Sequence, residues 1–241
     1  MERHALTFPV RPGTEDRVRR VLGSYPRPET EIGGGARLLG TSVFLWANRV
    51  LRVLDVTGPL PVVMRHLSEQ PAIRRTEQEL NPLLVEPRDL TDPQAARAFF
   101  TRAMMRRVVH RVTDPELLTD GGGRTRIALR YPVREGRGGD LAEVLSAARS
   151  LSVGSPRQTV LASTTVFQHT DFVVRVAEFA CGLDEAAAHL GRTVVGAPGS
   201  AAVDELLQPG WQIGTEAGFA RFFAEQRLSL VTDRRAEGVP R

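Results

Sequence analysis

The chain contains no lysine. All 32 of its basic residues are arginine, and 28 acidic residues leave a net charge of only +4. Arginines gather at Arg106, Arg107 and Arg111 and again at Arg234, Arg235 and Arg241. No basic stripe interleaved with aromatic residues accompanies them, so they read as solvated faces and tails and no nucleic-acid partner is expected. The single cysteine, Cys181, excludes an internal disulfide framework and fits a reducing, cytoplasmic setting. No apolar run approaches 18 residues, so no membrane-spanning helix is expected, and the N-terminal MERHALTFPV lacks the apolar region and cleavage site of a signal peptide. Without lysine the glycine runs cannot form a phosphate-binding loop, and no GxGxxG, GxSxG or HExxH motif occurs. Five histidines and one cysteine show no metal-ligand spacing. The expectation is therefore a protein without metal or cofactor, although a haem with one axial histidine would leave no spacing signature.

What is present is a sequence written twice. TSVFLWANRVLRVLD (Thr41 to Asp55) recurs as TTVFQHTDFVVRVAE (Thr164 to Glu178) at an offset of 123 residues. At the same offset ALTFPVRPG meets ALRYPVREG, His66-Leu67 meets His189-Leu190, Leu83-Leu84 meets Leu206-Leu207, and Phe99-Phe100 meets Phe222-Phe223. One offset held across about a hundred positions without a gap implies a duplicated unit. The expected organisation is a first repeat over 1–113, a Gly- and Pro-containing linker over 114–124, a second repeat over 125–233 and a flexible tail over 234–241.

Each repeat reads as strand, helix, strand, strand, helix, strand, then one more helix. Residues 4–10 alternate as a strand, and Thr14 stands as N-cap of a helix carrying Val18, Val21 and Leu22. Leu38 to Leu45 and Arg49 to Val56 form a hairpin turning at Ala47-Asn48. Gly58-Pro59 opens a helix with Leu60, Val63, Met64 and Leu67 inward, and Gln70-Pro71 breaks it before a short helix to Leu80. Leu83 to Val85 is the last strand, and Asp92-Pro93 caps the extra helix. This order is the split-βαβ, ferredoxin-like unit of the α+β class. Val50, Leu51, Val53, Leu54 and Val56 make the central strand apolar on both faces, so the helix-free face needs a cover. The simplest cover is the other repeat's sheet, as in a dimeric α+β barrel formed within one chain.

Arg52 and Arg175 interrupt those apolar strands at matched positions. A buried guanidinium needs an acceptor or water. Either each pairs with a helix carboxylate, or it faces a wet cavity and holds a phenolate, enolate or carboxylate. His66 and His189, the only histidines that recur, are candidates for proton transfer or for a core-edge position near a helix C-terminus. The hairpin tips differ, with Trp46 and Asn48 in one copy and His169 and Asp171 in the other. They are the candidates for substrate binding if the copies have diverged in function.

The runs HALTFPVRPGTEDRV, RLLGTSVFLWANRVLRVLDV, QPAIRRTEQELNPLL and EPRDLTDPQAARAFFTRAMMRRVVHR resemble the SchA/CurD-like family, which is encoded in spore-pigment and aromatic polyketide gene clusters. The resemblance is close over the first 111 residues and looser over the second copy. It implies a tailoring or accessory protein acting on a polycyclic aromatic polyketide intermediate, with polyketide synthase components as further partners and oligomer formation open. It supplies no agreed catalytic residues. The architecture is also similar, as a fold-level analogy, to cofactor-free quinone-forming monooxygenases and small polyketide cyclases. The expected activity is cofactor-free oxygenation or cyclisation of a phenolic ring, with His66 or His189 as base, Arg52 or Arg175 as anion partner and Trp46 as a pocket wall. The alternatives are a non-catalytic binding protein for the intermediate or the synthase, and a haem protein of the two-repeat barrel type.

Overall fold

A computed structural model describes residues 1–25, 29, 31–32, 34–88, 92–113, 124–147 and 160–236. Residues 114–123 of the expected linker lie outside them. The chain divides into two compact units. Among the described residues, the first gathers those of Met1–Met105 and 229–236, and the second gathers those of Arg106–Leu228.

In unit 1, β1 (Glu2–Pro9) leads to α1 (Glu15–Gly23), a two-residue β2 (Glu31–Ile32), then β3 (Ala36–Trp46) and β4 (Arg49–Thr57). Helices α2 (Leu60–Glu69), α3 (Pro71–Leu80) and α4 (Pro93–Ala103) follow. The sheet runs β1-β4-β3, all antiparallel, with β2 pairing one end of β3. The β3–β4 hairpin turns at Ala47, whose φ is +46°, as two-residue turns of this hand require. Asn48 fixes the tip by accepting from Val10 N at 2.8 Å and donating Nδ2 to Val10 O at 3.3 Å. Asp92 caps α4 by accepting from Gln94 N, and Pro93 takes the first position.

Thr14 is the N-cap residue of α1, as expected, but its hydroxyl donates backward to Arg11 O instead of accepting from a helical N–H. One local reading is corrected. Leu83 to Val85 is not a strand: Asn81–Leu83 is a 3-10 turn, and one bridge from Leu84 to Val10 is all the pairing there. Pro82, with fixed φ and no N–H, favours the turn over a ladder.

Unit 2 repeats the plan with β5 (Arg106–Val112), β6 (Thr125–Pro132), α5 (Gly138–Ala147), β7 (Leu161–His169), β8 (Phe172–Phe179), α6 (Leu183–Val194), α7 (Ser200–Leu206) and α8 (Glu216–Gln226). Its sheet runs β5-β7-β8-β6. The strands that end the two repeats have no counterpart in the sequence reading. β5 follows the first repeat's last helix yet pairs with β7 of unit 2, while β9 (Ser229–Arg235) follows α8 and pairs with β3 of unit 1. Arg234 and Arg235, assigned to the tail by sequence, are the end of β9. Each unit thus closes its outer edge with the strand that the other repeat's helix leads into.

The helix-facing side of the unit 1 sheet carries Leu6, Phe8, Val43, Leu45, Val50 and Leu54 in one buried cluster with residues of α1, α2, α3 and α4. The opposite side is buried as well: Ala5, Phe44, Leu51 and Val53 have no exposure. Within that apolar side lies an ion pair, Arg3 Nε to Asp55 Oδ1 at 2.6 Å. Its match in unit 2 is Arg126 to Glu178 at 3.0 Å. A charge in such a place is retained only with its partner in contact.

Candidate functional site

Alternation along β4 puts Arg52 on the same side as Val50 and Leu54, toward the helices. Its guanidinium is held on three sides. Nη2 donates to the Tyr25 hydroxyl at 2.9 Å, Nη1 to Glu77 Oε1 at 3.3 Å, and Nε to Thr41 Oγ1 at 3.4 Å. Its central carbon lies 4.8 Å from the Tyr25 ring centroid. Glu77 stands on the inner stripe of α3 between Ile73 and Leu80, so a helix carboxylate meets this strand arginine. The other carboxylate oxygen of Glu77 accepts from Arg88 Nη2. Arg88 is anchored by its backbone N–H to Asn81 Oδ1 at 2.7 Å and lies 4.2 Å above the Phe99 ring. Burial, reinforced by the nearby Arg52 charge, pushes the Arg88 pKa down to about 10.

These groups form the polar wall of a cavity of about 820 Å³. Met64 and Leu67 of α2, Ile73 of α3 and Pro87 supply an apolar wall, and Ser68, Arg74, Gln78 and Asn81 complete the lining. The size lies within the usual range for small-molecule sites, and an apolar lining with a few convergent polar groups is their usual composition. Two guanidiniums against one carboxylate leave the Arg52–Glu77–Arg88 cluster with one net positive charge, which suits an anionic or strongly polarised ligand oxygen.

The second copy keeps part of this. Arg175 repeats the bond of Arg52, Nε to Thr164 Oγ1 at 3.0 Å. At the 123-residue offset, however, Ser200 replaces Glu77 and Trp211 replaces Arg88. Where Arg88 covers Phe99, Trp211 packs edge-on against Phe222, with ring centroids 6.2 Å apart. Arg175 Nη2 is buried with no hydrogen-bond partner among the described residues. Burial pushes the Tyr131 phenol up, and the neighbouring Arg175 guanidinium opposes that rise.

The other sequence candidates lie elsewhere. His66, on α2, is partly exposed, faces Glu29 at 3.8 Å and does not line the cavity. His189, on α6, is buried edge-on to Phe179 at 5.9 Å. Burial, then the Arg192 and Arg175 guanidiniums, hold its pKa below the ordinary value. Trp46 and Asn48 stand at the hairpin tip of unit 1 and are not among the cavity lining. In unit 2, Asp171 accepts from Gly136 N at 3.0 Å and Gly138 N at 3.1 Å, fixing the turn into α5, and half-buried His169 ends β7. Sequence reasoning missed Tyr25, Glu77 and Arg88. Glu77 did carry a signal, as a charge within the Ile73–Thr76–Leu80 buried stripe of α3. Among the described residues no group of three His, Cys, Asp or Glu side chains could hold a metal ion, and no helix is long and apolar enough to cross a membrane.

The model of the SchA/CurD-like domain matches residues 1–113 and again 124–235. The chain belongs to the SchA/CurD-like family. It is 42% identical over 243 residues to a 42.8 kDa protein in the whiE locus of Streptomyces coelicolor, covering 98% of this chain and 59% of that protein. It is 38% identical over 244 residues to polyketide synthase CurD of Streptomyces cyaneus, covering 97% of this chain and 64% of that one. It is 41% identical over 178 residues to protein SchA of Streptomyces halstedii, covering 74% and 46%. The chain thus spans less than two thirds of the length of each of these relatives. The match in two halves agrees with the internal repeat, and the two α+β units are its structural form.

Proposed function

We propose that this chain is a tailoring protein of aromatic polyketide biosynthesis that takes a polycyclic phenolic intermediate into the unit 1 cavity. The observation that carries the reading is that cavity, about 820 Å³, lined both by apolar side chains and by the Arg52–Glu77–Arg88 cluster. A flat polyphenol offers apolar area to one wall and a phenolate or enolate oxygen to the other. The relatives named for polyketide synthase CurD and for the whiE locus support this substrate class. The replacement of Glu77 and Arg88 by Ser200 and Trp211 supports unit 1 as the working copy. The activity that follows is oxygenation without a cofactor, or cyclisation; in both, a reactive ring is held in one pose with its developing negative charge stabilised. Of the sequence candidates, Arg52 stands in the cavity wall, where its charge adds to the positive cluster, while His66 does not line the cavity.

The test uses the purified chain and 1,8-dihydroxy-9-anthrone as probe, followed by quenching of tryptophan fluorescence, oxygen uptake and product mass. Oxygen uptake with a gain of oxygen in the product supports the monooxygenase. Stoichiometric binding without turnover of the anthrone, or of an uncyclised poly-β-ketone, leaves a binding protein. No binding of either compound refutes the cavity as a polyketide site.

A further inference from the structure

We propose that Tyr25 is the catalytic proton donor of the unit 1 cavity, acting at a carbonyl or enolate oxygen of the bound ring. The proposal rests on the reading of that cavity as a ligand site. Three observations carry it. First, Tyr25 lines the cavity two residues beyond the end of α1, yet is 3% exposed, so its hydroxyl is withdrawn from bulk water. Second, that hydroxyl accepts from Arg52 Nη2 at 2.9 Å, and its own proton has no acceptor among the described residues. A buried tyrosine hydroxyl ordinarily donates as well as accepts, so a ligand oxygen in the cavity is the acceptor the geometry provides for. Third, Arg88, which lines the same cavity, has a buried Nε with no hydrogen-bond partner among the described residues. Two donors on one wall therefore lack acceptors, and the one carboxylate between them, Glu77, is already engaged by both arginines.

Arg52 is thereby a positioning residue rather than the group that grips the ligand. Each of its three nitrogens already makes one hydrogen bond, to Thr41, Glu77 and Tyr25, which fixes the guanidinium against the Tyr25 hydroxyl. The step follows from this. As the carbon acid conjugated with the ring carbonyl (C10 in a 9-anthrone) loses its proton to solvent, the Tyr25 O–H bond breaks and its proton passes to the carbonyl oxygen. The electron pair remains on the Tyr25 oxygen, which faces the Arg52 guanidinium. On return, the tyrosine oxygen recovers the proton and carbon takes one from solvent. Nothing is oxidised or reduced, and the step is common to an oxygenase and a cyclase because each begins from the enol.

Deuterium exchange at C10 of 1,8-dihydroxy-9-anthrone in D2O under argon, read by mass spectrometry, isolates this step from any later chemistry. The wild-type chain is expected to accelerate exchange. Tyr25→Phe is expected to lower the rate by about 100-fold, the usual share of a general acid or oxyanion donor, while raising Kd for the anthrone by no more than about tenfold. Arg52→Lys, which keeps the charge but not the fork, is expected to lower kcat for exchange and leave KM within about tenfold. Tyr25→Phe keeps the ring that packs in the wall, and a fluorescence melt checks that it folds. Exchange by Tyr25→Phe at the wild-type rate overturns the assignment, as does wild-type binding without acceleration. Failure of the wild-type chain to bind the anthrone at all instead removes the cavity reading, and this step with it.

Discussion

Replacing Glu77 by Gln removes the carboxylate charge that bridges two buried guanidiniums. The side chains of Glu77, Arg52 and Arg88 are 12%, 11% and 5% exposed, so solvent screens them little. Two charge-assisted hydrogen bonds at about 1.5–3 kcal/mol each are weakened, and breaking a buried pair typically costs about 3–5 kcal/mol. Glutamine keeps one acceptor oxygen, which places the expected loss at the lower end, about 3 kcal/mol. In a chain of this size that corresponds to a fall of roughly 6–12 °C in Tm. The two tryptophans allow the loss to be located, because Trp46 lies in unit 1 and Trp211 in unit 2. In a Trp211→Phe background, fluorescence during urea unfolding reports the unit that contains Glu77. The control is Glu86→Gln, which removes the carboxylate of an exposed pair with Arg102 at 3.3 Å and is expected to change stability by less than about 1 kcal/mol. If Glu77→Gln unfolds with a midpoint as close to wild type as that control, the Arg52–Glu77–Arg88 cluster does not hold the cavity wall, and the placement of Tyr25 loses its support.

Two further outcomes are expected. Arg3 is fully buried against Asp55, so Asp55→Ala should cost about 3–5 kcal/mol in urea unfolding, whereas Arg3→Met with Asp55→Leu should recover most of it; equal losses in the single and double variants would refute this. His189 has a folded-state pKa below its ordinary 6.5, owing to burial first and then Arg192 and Arg175, with Glu185 opposing. The unfolded chain therefore takes up a proton that the folded chain refuses, and stability is lost as pH falls from about 6.5 toward the folded value. His189→Phe should flatten that part of the stability curve between pH 7 and 5, and an unchanged slope would count against it.

Most of the scaffold was legible because it rests on short-range signals. The alternation of Arg49 to Val56, the turn at Ala47-Asn48 and the Asp92-Pro93 start of α4 each specify backbone locally, and the fixed offset repeats the hairpin in the second copy. The closing strands were not legible. RRVVHRV and SLVTDRR are arginine-rich and only partly buried, and which sheet edge accepts them is decided by residues more than fifty positions away. For the site, a charge inside an apolar strand pointed to Arg52. The same test applied to the apolar stripe of α3 would have pointed to Glu77. Tyr25 gave no sign, because its role depends on a contact between a loop and a strand 27 residues further on.

The exchange of end strands also sets an order of assembly. Unit 2 is drawn almost wholly from one uninterrupted stretch, Arg106–Leu228, whereas the unit 1 sheet needs Ser229–Arg235 to cover β3. During synthesis the first unit to leave the ribosome is therefore the last to be finished. Its β3 edge, with backbone donors and acceptors unmet, waits while 106–228 are made. Over that interval the nascent chain carries an open sheet edge that another nascent copy could occupy, and β9 is the segment that ends the exposure.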